Sequence, residues 1–364
     1  MLNADVEVDR RDFTVRASLS VAGGERVALF GPSGAGKTTV LEAVAGLVGL
    51  RRGLVELGGR VLSAAGPRAG EPRAGEPGAG EPGAAEHGAG ARQVAVPPWQ
   101  RRVGLLRQDP GLFPHLSVRA NLTYAKSPRS SGTGPTAAEL ASIAGQLGIE
   151  GLLSAMPARL SGGQRHRVAL GRLLLARCDA LLLDEPFASL DAALRRALTA
   201  LVKDLAAQRA VPTLLVTHQL ADAQAFADRL AVMDRGAVLQ VGAPDEVVLA
   251  PASRRVAELV GYLGFVPSPR PGVIAGVHPD RVAAGADPAR GLVVTGTVVA
   301  ARPSGAGWEA DLRAGDAAFT SRLPGPPAGD QVTVTVLDPP YFGSDGQRVE
   351  SGVGVGGTLG SQAP

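Results

Sequence analysis

Apolar and polar positions alternate imperfectly through DVEVDRRDFTVRASLSV, residues 5 to 21, which predicts one or two strands with one face buried. The turn AGGE and the run RVALF follow as a further strand, and GPSGAGKTTVLEAVAGL turns on its glycines into a helix. GLVELGGRVL predicts a hairpin with its turn at Gly58 and Gly59. RRVGLLRQ reads as a strand. Helical spacing runs through Thr136 to Leu147, Arg165 to Leu175 and residues 192 to 209. VPTLLVTH is a strand and ADAQAFADRL a further helix. ALLLDEP is a continuous apolar run ending in two carboxylates, the pattern of a parallel strand covered on both faces. Strands that alternate with helices predict an α/β core, a mostly parallel sheet with helices on both faces.

The pattern changes at about Phe265. Short Val/Thr runs such as GLVVTGTVVA and DQVTVTVLD, separated by Gly/Pro turns, predict a small all-β barrel over 267–349. Residues 246–266 are expected to link it to a first domain over 1–245. A tail from 350 to 364 is expected to be disordered.

Composition sharpens one region. Gly and Pro number 49 and 28, and much of that excess falls in PRAGEPRAGEPGAGEPGAAEHGAGARQ, in Ser127 to Pro135 and in the last third of the chain. The repeat offers almost nothing to bury. Residues 64–95 are therefore expected to be a disordered insertion between two surface strands, since closure entropy rises only logarithmically with loop length.

Charge adds little. A net +3 with 4% aromatic residues, and no basic block interleaved with rings, points away from nucleic acid. Lysine occurs at only three positions, Lys37, Lys126 and Lys203. The single cysteine, Cys178, excludes an internal disulfide and reads as a small buried hydrophobe. The first residues carry acids where a secretion signal would be basic and then apolar. No uncharged apolar run approaches the ~18 residues of a membrane span. A cytosolic chain is expected.

The chemistry begins at GPSGAGKT, Gly31 to Thr38, a complete G-x-x-x-x-G-K-[ST] between a strand and a helix. Glycines let backbone N–H groups turn inward around phosphate oxygens, and the helix start adds its dipole. Gly31, Pro32, Ser33, Gly34, Ala35, Gly36, Lys37, Thr38 and Thr39 are the candidate ATP-binding residues. Lys37 reaches the β- and γ-phosphates, and the Thr38 hydroxyl faces Mg²⁺. Asp184 emerges at the carboxyl end of the apolar strand, where a parallel sheet presents its phosphate loop, and is placed to meet Mg²⁺ through water. Glu185 is placed to orient and deprotonate the attacking water. Two cofactors follow, ATP and Mg²⁺.

LSGGQRHRVALGR, Leu160 to Arg172, places Ser161, Gly162, Gly163 and Gln164 at a helix start, a second anion cradle. One nucleotide needs one cradle, so the second is expected to cap the γ-phosphate held by another copy. With LSGGQ the chain resembles the nucleotide-binding subunits of ABC transporters, over residues 1 to about 245. The resemblance implies an α/β P-loop ATPase core with a helical subdomain at 111–159. It implies that Gln108 contacts Mg²⁺ and the attacking water. Ser189 to Asp191 would sense the second copy, and His218 would stand beside Glu185 near the γ-phosphate. The catalytic set is then Glu185, His218 and Gln108; Thr38, Gln108 and Asp184 attend the metal. Phe13 is the nearest candidate for stacking on adenine, with core packing as its other reading. Phe113, His115 and Leu116 are expected on the face that docks on membrane subunits.

The later domain resembles the single oligomer-binding-type barrel of molybdate-importer ATPases, beginning at GVHPDRV, Gly276 to Val282. That likeness implies ATP-driven import of an oxyanion, molybdate foremost, at the cytoplasmic face of the cell membrane. Implied partners are a second copy, two permease subunits and an extracytoplasmic binding protein. Sulfate/thiosulfate or ferric-iron import, and a soluble non-transport ABC ATPase, are the alternatives. Thr295, Thr297, Ser304 and Thr320 are the candidate donors to a regulatory oxyanion, and strengthening the dimer is the barrel's other reading.

Overall fold

The computed structural model describes residues 1–66, 93–124, 134–188, 190–305, 307–350 and the backbone of 358–359. Most of the Gly/Glu/Pro insertion, Ser189 and nearly all of the tail lie outside these residues. The chain forms two compact units, Met1–Val241 and Gly242–Pro364.

In the first unit the strands are β1 (Leu2–Asp9), β2 (Thr14–Val21), β3 (Arg26–Phe30), β4 (Arg52–Leu57), β5 (Arg60–Ala65), β6 (Val94–Ala95), β7 (Val103–Leu106), β8 (Ala180–Asp184), β9 (Thr213–Thr217), β10 (Arg229–Asp234) and β11 (Ala237–Gly242). Its longer helices are α1 (Lys37–Ala45), α2 (Val118–Thr123), α3 (Ala137–Gln146), α4 (Gly162–Leu175), α5 (Ala192–Gln208) and α6 (Leu220–Phe226). All the strands join one sheet in the order β6-β5-β4-β1-β2-β11-β10-β3-β9-β8-β7.

That sheet has two characters, and burial explains both. In the half from β10 to β7, β3 runs parallel to both β9 and β10, and β8 runs parallel to β7 and β9. Every residue of β8 and β9 is buried, as helix-covered parallel strands require. The β1, β2, β4, β5 and β6 pairs are antiparallel. In β1 buried positions alternate with more exposed ones, so one face of this half stays wet. The sheet is mixed rather than mostly parallel.

Two elements differ from the sequence pattern. The helix expected through ADAQAFADRL stops at Phe226, because Asp228 N–H donates to the Arg26 carbonyl (2.8 Å) and its carboxylate accepts from Arg26 N–H (2.9 Å). Those bonds pull the chain into β10 beside β3. The pairing of β10 and β11 was not evident in the sequence; they are joined at Arg235 and Gly236, both at positive φ (46° and 83°), the backbone of a tight hairpin turn.

The insertion leaves and returns at one place. Ser63 of β5 pairs with Ala95 of β6, so its two roots are adjacent strands. Arg101, 3% exposed, seals the sheet beneath them. Its guanidinium donates to the Ala43 and Val44 carbonyls at the end of α1, to the Val96 carbonyl and to Ser63 Oγ.

The second unit contains α7 (Pro244–Leu249) and α8 (Arg254–Leu259), which occupy part of the 246–266 stretch expected as a linker. Its strands are β12 (Phe265–Pro267), β13 (Ile274–Gly276), β14 (Val282–Ala284), β15 (Gly291–Ser304), β16 (Gly307–Ala314), β17 (Ala317–Leu323), β18 (Gln331–Leu337), β19 (Tyr341–Phe342), β20 (Arg348–Val349) and β21 (Thr358–Leu359). They form a four-stranded sheet, β12-β13-β19-β20, and a larger one, β14-β18-β15-β16-β17, with β21 beside β15. The expected closed barrel is corrected to these two sheets, antiparallel except for the β15–β21 pair. Closure needs the two edges to pair over some length, and β14 has only three residues while β17 runs straight into the Pro-rich turn PGPP. Val266, Leu292, Val294, Leu312, Phe319 and Val334 fill the core between them.

Candidate active site

The loop from Gly31 to Gly36 leaves the carboxyl end of β3, an interior strand of the parallel half, and turns into α1. Two of its glycines have no room for a side chain. A Cβ on Gly31 would stand 2.0 Å from the Met233 carbonyl oxygen. Gly36 caps α1 in the left-handed region at φ 100°, where a Cβ would lie 2.8 Å from Val15 Cγ2. Gly34, at φ 81°, has open space where its Cβ would be.

Lys37 is buried at the first position of α1, and its ammonium donates to the Gly31 and Pro32 carbonyls, each at 2.8 Å. Burial lowers the lysine's pKa, and Glu185 and Asp184 act to raise it. Thr38 Oγ1 donates to Asp184 Oδ2 at 2.9 Å. Asp184 ends β8 and is 5% exposed; burial pushes its carboxyl up, and the Thr38 hydrogen bond works against that. Thr39 lies below, its hydroxyl accepting from Arg10 Nε at 2.9 Å. Ala35 packs into the core, while Ser33 and Gly34 form the loop's exposed turn, closed by the Ala35 N–H donating to the Pro32 carbonyl at 3.2 Å.

Glu185 adopts φ 51°, uncommon for a residue with a side chain, and its N–H donates to the Val216 carbonyl at 3.0 Å. This turn aims the carboxylate at the end of β9. There Oε1 accepts from His218 N–H at 3.0 Å and meets His218 Nδ1 at 2.6 Å, while Thr217 Oγ1 donates to Oε2 at 3.5 Å. A carboxylate only accepts, so Nδ1 carries the proton and a neutral His218 has no N–H left for a phosphate oxygen. Thr217 was not evident as a site residue, although its place before His218 at a strand end was the available signal.

The remaining candidates are less gathered. Gln108 is exposed two residues beyond β7, whose Leu106 pairs with Leu183 of β8; among the described residues it has no hydrogen bond to Thr38 or Asp184. Ser161 caps α4 with a reciprocal box: Ser161 Oγ accepts from Gln164 N–H (3.2 Å) and Gln164 Oε1 from Ser161 N–H (2.8 Å). Gly162 and Gly163 form the first turn, and no described hydrogen bond joins residues 161–164 to the phosphate loop. Asp191 caps α5, and the N–H groups of Leu194 and Ala193 hold its carboxyl below the ordinary range. Phe13 is half-buried against the core of the first unit, and its ring edge occupies the space beside Gly236.

Next to Gln108, the loop bearing Phe113, His115 and Leu116 is held by fully buried Asn121. Its amide accepts from Phe113 N–H and donates to the Phe113, Leu116 and Ser117 carbonyls. Phe113 packs against Tyr124 with the rings tilted by 43° (centroids 4.1 Å apart), under the Arg172 guanidinium. With Leu105, Leu106 and Leu173 these residues line a groove of about 240 Å³.

The site suits ATP and Mg²⁺ on its own geometry. Lys37 is a buried cation whose described hydrogen-bond partners are only carbonyls, which phosphate oxygens can replace with charge-assisted bonds. The adjoining Thr38 hydroxyl and Asp184 carboxylate are the hard oxygen donors Mg²⁺ takes alongside phosphate.

Comparison with known proteins agrees. Residues 15–188 match the family model described as ABC transporter. A Fe(3+) ions import ATP-binding protein of Pseudomonas fluorescens is 38% identical over 252 residues, 69% of this chain and 63% of that protein. A molybdenum import ATP-binding protein of Mycobacterium tuberculosis is 37% identical over 260 residues, 70% of this chain and 63% of the relative. The chain thus spans less than two thirds of these relatives' length. Others of similar identity are named for sn-glycerol-3-phosphate, trehalose/maltose and sulfate/thiosulfate import. A solved ATP-binding subunit of an ABC transporter superposes with a TM-score of 0.54 at 24% identity, over 71% of this chain and 94% of that one.

Proposed function

The chain belongs to the ABC transporter family as an ATP-binding subunit, and on that premise we propose that it hydrolyses ATP to drive import, two copies enclosing two ATP molecules. The observation that carries this reading is one sheet edge at which Lys37, the Thr38–Asp184 pair and the Glu185–His218 pair converge. Magnesium, when bound there by Thr38, Asp184 and Gln108, neutralises charge on the β- and γ-phosphate oxygens.

The protein's own groups do the rest. Lys37 exchanges its two carbonyl partners for phosphate oxygens. Glu185 accepts the proton of the attacking water. The 2.6 Å contact occupies both Glu185 Oε1 and the imidazole N–H, so it is a resting arrangement. With ATP in place His218 turns its N–H to the γ-phosphate and leaves Glu185 free to face the water. Residues 161–164 of one copy cap the nucleotide of the other, which accounts for a second cradle that makes no contact with the first. Asp191 faces the second copy. Phe13 serves as the adenine platform through whatever ring face Gly236 leaves open.

The groove beside Phe113 and Arg172 receives the permease, and the chain works as a peripheral subunit at the cytoplasmic face. Among the described residues no helix is long and apolar enough to cross a membrane. For the cargo the reading is an oxyanion, molybdate first. The molybdenum relative supports it, and the iron and sulfate/thiosulfate relatives support those cargoes as well. The C-terminal sheets are read as the regulatory part, with any oxyanion contact completed by a second copy.

The test is the Glu185→Gln chain. Hydrolysis should fall by about a thousand-fold or more while ATP still binds, because only the proton acceptor is lost. ATP–Mg²⁺ should then trap a dimer by size-exclusion light scattering, alone or with the permease. A chain that stays monomeric at saturating ATP in both settings counts against the sandwich. Vesicle uptake of molybdate, sulfate and ferric iron by the assembled transporter decides among the cargoes.

A further inference from the structure

A cation in the first turn of a helix opposes the helix dipole, which favours negative charge at that end. Arg195 stands there, four residues after the Asp191 cap of α5, yet its side chain is only 29% exposed. Helical side chains lean toward the N-terminus, so the guanidinium lies back over the start of α5. Nη2 donates to the Leu190 carbonyl at 3.2 Å. Nη1 donates to Gln219 Oε1 at 2.9 Å and reaches Asp222 Oδ1 at 3.5 Å. Arginine has no acceptor, so the Gln219 amide must present its oxygen.

The two ends of this bridge belong to different parts of the site. Leu190 precedes Asp191 in the loop that leaves Glu185. Gln219 follows His218, and its N–H donates to Thr217 Oγ1 at 3.0 Å, the same hydroxyl that reaches Glu185 Oε2. A path of hydrogen bonds therefore runs from the Leu190 loop through Arg195, Gln219 and Thr217 to the carboxylate. Asp222 completes the pocket; burial pushes its carboxyl up, and Arg195 draws it down.

We propose that Arg195 is a positioning residue that ties the Leu190–Asp191 loop to the Thr217–Gln219 turn, so that arrival of the second copy is felt at Glu185. It has no described hydrogen bond to the phosphate loop or to Glu185 itself. The fork is what matters: one guanidinium meets both segments, whereas a lysine ammonium is a single point that keeps one contact and loses the other. This inference rests on the two-copy reading above.

ATP turnover of the full chain against ATP concentration, with melting temperature in parallel, tests it in Arg195→Lys, Gln219→Ala and the double variant. Each single change should lower kcat by about ten-fold and leave half-saturation within about two-fold, since no nucleotide contact is touched. The ATP dependence should lose its cooperativity. The double variant should be no worse than the more impaired single one, as expected for two residues sharing one interaction. Parent-like kcat in both single variants, losses that multiply in the double, or losses that only track melting temperature overturn the assignment. If Arg195→Lys does not fold, Gln219→Ala decides alone: retained kcat and cooperativity overturn the tie. A parent chain with no ATP turnover would instead overturn the proposed function, and this inference with it.

Discussion

Backbone conformation, more than side-chain chemistry, restricts what the phosphate loop tolerates. Gly34 and Gly36 both sit at positive φ, which costs a side-chain-bearing residue ~1–2 kcal/mol. Only Gly36 also faces a wall, Val15 Cγ2 at 2.8 Å and Met233 Cε at 3.2 Å from an added Cβ. Gly36→Ala should therefore melt lower than Gly34→Ala by roughly 2–4 °C for each further kcal/mol, and thermal denaturation of the pair would show it. Equal melting temperatures would mean that the loop moves away from Val15 at no cost. Glu185 at φ 51° is the complementary case, strain retained where the carboxylate must be aimed. Cys178 shows the opposite environment, its thiol pushed up to about 11 by burial, as suits an unreactive packing residue.

At the scale of elements, the most unusual stretch of sequence is attached in an ordinary way. The insertion hangs from β5 and β6, which pair at Ser63 and Ala95, on the antiparallel half of the sheet. Glu185 and His218 directly follow β8 and β9, and Lys37 begins α1, all in the other half. Because closure entropy changes slowly with loop length, deleting Gly70 to Gly90 should leave ATPase activity and transport within about two-fold of the parent. An about ten-fold loss of transport with normal ATPase would instead identify the repeat as a partner contact. The deletion should also spare the Arg101 seal, whose partners Ser63, Val96, Ala43 and Val44 all lie outside the removed segment.

For the whole molecule, the second unit decides how far the regulatory reading extends. Thr320 Oγ1 donates to Asp311 Oδ1 (2.8 Å), and Thr295 and Thr333 share a hydrogen bond of the same length. Two of the four expected anion donors are thus engaged, one of them by a carboxylate that would repel an anion. Thr295 and Ser304 sit nine residues apart on β15, roughly 30 Å of extended strand, so one chain does not gather them. Calorimetric titration of the full chain with molybdate, tungstate and sulfate should give heat only under conditions where the chain is dimeric. Tight binding by a monomer would place the anion in a pocket other than these hydroxyls. No heat from a dimer would leave the sheets a structural role.

What the sequence determined by itself was the local and periodic part. The phosphate loop, the buried strand that delivers Asp184, the cap at Ser161 and the change of texture near Phe265 follow from spacing and residue type, which act over a few residues. Tertiary structure decided which distant segments meet. That Glu185 is held from the end of β9, that Arg195 joins two loops and that Arg101 seals the insertion's roots depend on strand order, which no local pattern encodes. The open sheets of the second unit were hidden for the same reason. Alternation says that a strand has a buried face, but closure depends on whether two edges far apart in sequence are long enough, and free enough of proline, to pair.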